Sequence, residues 1–183
     1  ITIPDWMQGQ DILAKDFHPK HAVFAARDRC GEAVDQIRSV RSENYLYIKN
    51  FFPSRPHLMP SNYKDSKLII QRLRELHATE EIGDVGEELL FSKVRPAEEL
   101  YLYRQDRWQI HNVADDREYA DDLEHHRMLL DEWIKQTNDP GAESDDVYML
   151  ETEDQLKGIR SEASRKTYRA NIETYRRWAR EGR

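Results

Sequence analysis

Hydrophobic and polar positions change period several times along this chain, and each change marks an element. The first twenty residues sustain no period and are punctuated by Pro4, Gly9 and Pro19, so they read as an extended lead-in. His21–Ala26, Val34–Arg41 and Asn44–Phe51 then group aliphatic, β-branched and aromatic residues in short runs, which predicts three strands. Ser42-Glu43 is short enough to close a hairpin between the last two. In the third strand Tyr45, Tyr47 and Phe51 point one way and Leu46 and Ile48 the other. A strand that is apolar on both faces predicts cover on both.

Pro53, Pro56 and Pro60 break regular structure, and Tyr63–His77 follows as a predicted helix with Ile69, Leu73 and Leu76 on one stripe and Ser61 as N-cap. A helical turn is expected over Glu87–Phe91 and a fourth strand over Glu98–Tyr103. The clearest helical period runs from Arg117 to Lys135, where Tyr119, Leu123, Leu130 and Ile134 share a face with Trp133 beside them. Asn138-Asp139-Pro140-Gly141 ends it. Ala142–Lys157 is acidic and aperiodic and reads as a surface strap, and Arg160–Arg180 as a last helix through Tyr168, Ile172, Tyr175 and Ala179. The pattern predicts an α+β fold, a small antiparallel sheet of about four strands packed on the long C-terminal helix of residues 21–141. Residues 1–20 are the lead-in, and 142–183 an acidic strap with a basic helical tail.

Composition qualifies this picture. Of 183 residues 38% are hydrophobic and 34% charged, and mean hydropathy is -0.91, which suggests that part of the chain is peripheral. Four Trp, nine Tyr and five Phe nonetheless supply the buried area that a disordered chain lacks. Gly158–Arg183 holds eight Lys or Arg against three Glu, a net of +5, and with -7 overall the preceding residues hold -12. Acids interleave the bases of that tail, and it lacks an aromatic stacking pattern, so a solvated helix face is the reading and nucleic acid is not an expected partner. No run approaches the roughly 20 apolar residues that span a bilayer, so no membrane association is expected. The single cysteine, Cys30, excludes an intrachain disulfide. A start on Ile1 without Met is what a processed product or a fragment would show.

Candidate chemistry is sparse. Asp115-Asp116, Asp121-Asp122 and Asp145-Asp146 are adjacent carboxylates, which on a helix point about 100° apart, so they read as caps and solvated faces. His125-His126 cannot both face one metal, and His57, His77 and His111 lack ligand spacing. No catalytic or metal-ligating residue is expected in this chain.

Three strings carry a family resemblance: Val23-Phe24-Ala25-Ala26-Arg27-Asp28-Arg29, Ile37-Arg38-Ser39-Val40-Arg41 and Tyr47-Ile48-Lys49-Asn50-Phe51. With Arg95-Pro96-Ala97-Glu98-Glu99-Leu100-Tyr101, Asn112-Val113-Ala114 and the lead-in Ile3-Pro4-Asp5-Trp6-Met7-Gln8-Gly9, they resemble the C-terminal region of sulfatases. The likeness is nearest to the heparan N-sulfatase (sulfamidase)-like branch of the alkaline-phosphatase-like superfamily. It holds in register from about Ile1 to Gly141. Leu102, Arg107 and Gln109 depart from the family pattern at a turn, and the last forty or so residues resemble nothing placed.

The resemblance implies that this chain is the C-terminal subdomain of a larger α/β enzyme, packed on an N-terminal catalytic domain of the same polypeptide. That parent would hydrolyse sulfate esters or sulfamates of a sulfated saccharide with a formylglycine nucleophile and a calcium ion, in a periplasmic, secreted or lysosome-like setting. Formylglycine arises from Cys or Ser in C/S-x-P-x-R. Here Cys30 is followed by Gly31-Glu32-Ala33-Val34, and Phe51-Phe52-Pro53-Ser54-Arg55 matches in its tail but has Phe51 at the nucleophile position, so it reads as a turn ending a strand. No cofactor is therefore expected in this chain, and alone it should be inactive.

Arg27 to Glu32 follows the first strand as a charged loop, and in the resembled branch the matching loop lies near the substrate pocket. The resemblance thus makes Arg27, Arg29 and Glu32 the candidate substrate-binding residues, the arginines by bidentate contact to carboxylate or sulfate. The structural alternative is that Arg27 and Arg29 pair with Asp28, Glu32 or acids of the main domain. At the level of the whole chain, a phosphodiesterase or phosphonate hydrolase of the same superfamily, or a free-standing binding or assembly domain, remain alternatives. An open apolar face on the third strand would also permit self-association of the isolated piece.

Overall fold

Alternating side chains in the first hundred residues build a meander. The computed structural model describes Pro4, Met7 and residues 9–141 and 145–183, without the side chains of Asp145 and Asp146; the remainder of the lead-in string therefore lies outside the described residues. Strands β1 (Val23–Cys30), β2 (Ala33–Arg41), β3 (Leu46–Asn50) and β4 (Glu98–Tyr101) pair antiparallel in the order β1-β2-β3-β4. The register sets Phe24 opposite Val40, Val40 opposite Tyr47 and Tyr47 opposite Leu100, so one apolar row crosses the sheet. The α+β expectation holds.

Among the described residues the helices α1 (Asn62–Asp65), α2 (Leu68–Ala78), α3 (Gly83–Gly86), α4 (Ala120–Thr137), α5 (Asp145–Gly158) and α6 (Glu162–Arg180) follow or interrupt the sheet. Leu123 and Leu130, seven apart on α4, bury against Val40, Tyr47 and Leu100, and Trp133 stacks on Phe24 with ring centroids 5.2 Å apart. Asn138 ends α4 in the left-handed region at φ 50, a conformation Asn tolerates. The β2–β3 turn is tied to the same helix. His126 Nδ1 lies 2.6 Å from the Asp122 carbonyl and so must donate to it, which leaves Nε2 to accept from the Ser42 hydroxyl at 2.9 Å. At the other edge the Asn112 side chain covers β4, its Oδ1 accepting from Leu100 N at 2.8 Å and its Nδ2 donating to the Glu98 carbonyl at 3.1 Å.

Several expectations change in physical detail. The helix over Tyr63–His77 breaks into α1 and α2, because Ser66 Oγ donates to the Tyr63 carbonyl at 2.8 Å and Lys67 turns extended as a new N-cap. Ser61 occupies the N-cap position of α1, yet its hydroxyl makes no cap bond; instead Asp65 accepts from Ser61 N at 3.1 Å. The stripe on α2 is less buried than its period suggests, with Ile69 70% exposed. The turn at Glu87–Phe91 is present as a single π-helical turn continuing α3. Of the family departures, Gln109 sits at φ 54 in the turn after β4, closed by its N–H on the Asp106 carbonyl at 3.1 Å.

Residues 145–158, read as part of an aperiodic strap, form α5. Among the described side chains its inward stripe is Tyr148, Thr152 and Leu156 with Met149 beside them, while Val147 and Leu150 are exposed, and apolar residues on both sides blur the period. The last helix is present as α6, with Tyr168, Ile172 and Tyr175 buried as expected and Trp178, not Ala179, completing the face. It anchors two satellite cores, one of Ala33, Met59, Tyr175 and Trp178 and one of Tyr148, Tyr168 and Ile172.

The third strand is two-faced, but not as an open apolar surface. Tyr47 lies fully buried under α4, while Phe51 stands beyond the strand end and is 37% exposed. Leu46 and Ile48 are half-buried, facing Tyr101 and Glu99 across the β3–β4 pairing. The expected bare patch on this strand is therefore absent among the described residues. Large exposed apolar side chains cluster instead on α1–α2, with Leu68 81% exposed beside Ile69.

Candidate functional site

The charged run Arg27–Glu32 is not a loop. Its backbone continues β1, with Arg29 opposite Val34 and Cys30 opposite Ala33, and a register shift between Arg27 and Arg29 leaves Asp28 as the bulged residue. The hairpin closes on Gly31-Glu32, where Gly31 takes φ 63 as the first residue of a two-residue turn requires. Strand pairing and the bulge then send the three candidate side chains to different surroundings.

Arg27 joins a polar layer on the sheet face opposite α4. Asp35, fully buried on β2, accepts from Arg95 Nη1 at 3.0 Å and also from Arg95 Nη2, and Arg27 Nη1 stands 3.8 Å from it. Glu99 accepts from Tyr101 OH at 2.5 Å and from Asn50 Nδ2, with His57 Nε2 4.0 Å away. Burial pushes the His57 imidazole below its usual range against the pull of Glu99, and burial first, then Glu99, pushes the Tyr101 phenol up. The Arg27 side chain is 37% exposed, but its Nη2 is itself buried and has no hydrogen-bond partner among the described residues. It is a guanidinium held at the edge of a fixed network with one enclosed nitrogen left unpaired.

Arg29 and Glu32 turn the other way, beneath the C-terminal helices. Arg29 is only 14% exposed, pairs with Glu151 of α5 and lies over the Tyr148 ring at 5.9 Å. Glu32 is buried, and its Oε1 accepts from Asn62 N at 2.6 Å and from Asn171 Nδ2 at 2.7 Å, tying α1 and α6 to the hairpin. Asp28 pairs with Arg38 at 2.8 Å, and Arg38 also holds Asp139 beyond α4. The three residues taken as one cluster thus do not converge. The partners found for the arginines, Asp35 and Glu151, are also not the acids the local sequence offers.

A cleft of about 410 Å³ opens where β1 and β2 meet α5 and α6, with Arg29, Arg55, Arg176 and Arg180 on its lining and Tyr148 and Tyr175 among its walls. Arg55 closes the turn that sequence reading placed at Phe51–Arg55, its N–H donating to the Phe52 carbonyl at 3.1 Å. Its guanidinium is buried and donates to the carbonyls of Val34 at 2.7 Å and Arg183 at 2.6 Å, and burial pushes its pKa down. Sequence reading missed Asp35, Arg95, Glu99 and Arg55 as a buried charged set. The available signal was a charge inside an otherwise half-apolar strand, as Asp35 is in β2.

The described residues do not fit a formylglycine or a calcium ion. Cys30 is exposed and lacks the proline and arginine of the maturation motif, and no cluster of three or more His, Cys, Asp or Glu could hold a metal among the described residues. No helix among them is long and apolar enough to cross a membrane.

No protein-family model matches the chain. Among curated proteins it is similar to an ulvan-active sulfatase of Formosa agariphila, 32% identical over 138 residues, which is 74% of this chain and 23% of that enzyme. Among solved structures it is similar to the crystal structure of a candidate sulfatase from Bacteroides thetaiotaomicron, with a TM-score of 0.47 and 18% identity, over 81% of this chain and 25% of that one. The chain therefore spans about a quarter of the length of the curated relative it matches, and that sequence likeness supports a sulfatase-related chain.

Proposed function

We propose, with that likeness as the premise, that this chain is the C-terminal part of a sulfatase acting on a sulfated saccharide. The observation that carries the reading is 32% identity to a sulfatase sustained over 138 residues. Within sulfatases we place it nearest the sulfamidase-like branch, on the strings at Val23–Arg29, Ile37–Arg41 and Arg95–Tyr101. In this reading the formylglycine and calcium belong to an N-terminal catalytic domain of the same polypeptide, where a strong nucleophile meets positive charge at the sulfate oxygens. The relative is described as ulvan-active, so ulvan is the first substrate to test.

The chain's own part is support and substrate selection. Asp35 and Arg95 form a buried, rigid base for Arg27, whose side chain is partly exposed, and in this reading its charge favours a sulfate or carboxylate of the sugar at that edge. The test is Arg27→Ala in the intact enzyme. KM should rise about tenfold or more for the sulfated saccharide, as loss of one charge-assisted contact implies, while a small aryl sulfate is turned over as before. Equal losses on both substrates would remove Arg27 from substrate selection. Turnover of an aryl sulfate by the isolated 183-residue chain would overturn the division of labour itself.

A further inference from the structure

Trp108 is the most exposed aromatic side chain among the described residues, at 74%, whereas Trp133 stacks on Phe24 and Trp178 is buried. The turn that carries it is fixed by its own backbone. Gln105 N and Asp106 N donate to the Leu102 carbonyl at 2.8 and 2.9 Å, and Gln109 N donates to the Asp106 carbonyl. His111 N then donates to Asp106 Oδ2 at 2.7 Å, and Val113 N returns to the Leu100 carbonyl at 2.9 Å. The indole is therefore held out from a rigid turn.

Beside it lies a groove of about 500 Å³. Its floor is apolar, from Leu102, Ile110, Val113 and Tyr119, and Val113 and Tyr119 pack on the main core, so the groove is pre-formed. Gln105, Asp106, Arg107 and His111 supply its polar lining. Gln105 and His111 bring both donors and acceptors. Arg107 lies over the Trp108 ring at 5.1 Å, which presents a positive charge together with the aromatic surface. Leu102 and Arg107 are two of the positions where the chain departs from the family pattern, so the groove is a feature of this chain rather than of the shared pattern.

An aromatic face beside planar polar groups suits a ligand that is apolar on one side and hydroxylated around its edge. A pyranose ring has that form: its weakly positive C–H bonds meet the negative π face, and its hydroxyls both donate and accept. A peptide added as a further strand is not accommodated here, because Asn112 already covers the β4 edge. We propose that this groove is a second saccharide-binding site, in which one sugar ring stacks on Trp108 and a sulfate on the same chain is met by Arg107. As a saccharide site it rests on the sulfatase reading. It is separate from Arg27, which lies on β1 at the opposite edge of the sheet.

The 183-residue chain is titrated calorimetrically with hexasaccharides of dextran sulfate and of dextran. Both bind, the sulfated one about tenfold more tightly at low salt and less so as salt is added. Trp108→Ala lowers both affinities by about tenfold, and Trp108→Phe by less, since phenylalanine keeps an aromatic face. Arg107→Gln abolishes the preference for the sulfated sugar, and Leu68→Ser, at a side chain 81% exposed on α2, changes neither affinity. Trp108 is exposed, so its variants keep the wild-type melting curve and the loss is not one of folding. Failure of both hexasaccharides to bind, or unchanged affinity in Trp108→Ala, would overturn the proposal. So would a dimer in sedimentation that Trp108→Ala dissolves, because a second copy would then fill the groove. The titrations involve no turnover and so fail separately from the sulfatase reading: Trp108-dependent binding keeps the groove even where the intact enzyme leaves an aryl sulfate uncleaved.

Discussion

Asp35→Ala probes the buried network on which Arg27 rests. Asp35 and Arg95 are 0% and 1% exposed, and two nitrogens of Arg95 donate to the two oxygens of Asp35. Removing the carboxylate leaves a guanidinium buried without its anion, and such half-deletions cost about 3–5 kcal/mol. Against a typical domain stability of about 5–15 kcal/mol this is a large fraction. With a urea m-value of about 2 kcal/mol/M, the unfolding midpoint should fall by about 2 M. Urea titration followed by tryptophan fluorescence reads both halves of the fold, because Trp133 stacks on Phe24 and Trp178 packs with Tyr175. Asp35→Leu combined with Arg95→Met removes both charges at similar volume and should recover most of the loss or exceed wild type. A midpoint shift of under about 0.5 M for Asp35→Ala, or a double variant no better than the single one, would refute the uncompensated-charge argument.

Leu130→Ala should cost about 2–5 kcal/mol, because Leu130 is fully buried between Val40, Tyr47 and Leu100; calorimetry should show the melting temperature lowered by about 10 °C. Burial lowers the His126 pKa below its unfolded value near 6.5, so protonation favours the unfolded chain: its contribution is fully present above that pH and is lost as pH falls. The urea midpoint should therefore decline between neutral and mildly acid pH, less steeply in His126→Gln, and an identical slope in the variant would dismiss His126 as a cause. Glu32→Ala should cost about 1–3 kcal/mol by leaving Asn171 Nδ2 and Asn62 N unpaired, and trypsin should cut α6 sooner; unchanged cleavage would show that the tie is not what holds the helix.

The candidate site was only partly legible beforehand. The family resemblance offers Arg27, Arg29 and Glu32 as one set, on the reading that the charged run after the first strand is a loop. Strand pairing through Cys30 and the bulge at Asp28 separate them: Arg27 faces Asp35, Arg29 faces Glu151, and Glu32 is buried under α6. The acids that meet the two arginines lie 8 and 122 residues away, and no local pattern encodes either pairing. The break between α1 and α2 was hidden for a related reason. Ser66 bonding to its own backbone competes with helix continuation, and the α2 stripe lacks enough burial to override it.

What the sequence alone determined was local and periodic. Alternation in β2 and β3 and the stripe on α4 specify which residues can share a face, and so the meander under one long helix. Family-like strings in fixed order pointed to sulfatases before any comparison, since a run of residues keeps its identity whatever it packs against. Tertiary structure decided the rest. It packed residues 145–158 as a helix through Tyr148, Thr152 and Leu156, closed β3's first face under α4, and gathered Arg29, Arg55, Arg176 and Arg180 around one cleft. The physical reason is range: turn chemistry and hydrophobic period act over a few residues, whereas burial and charge act through space and are set only when distant segments meet.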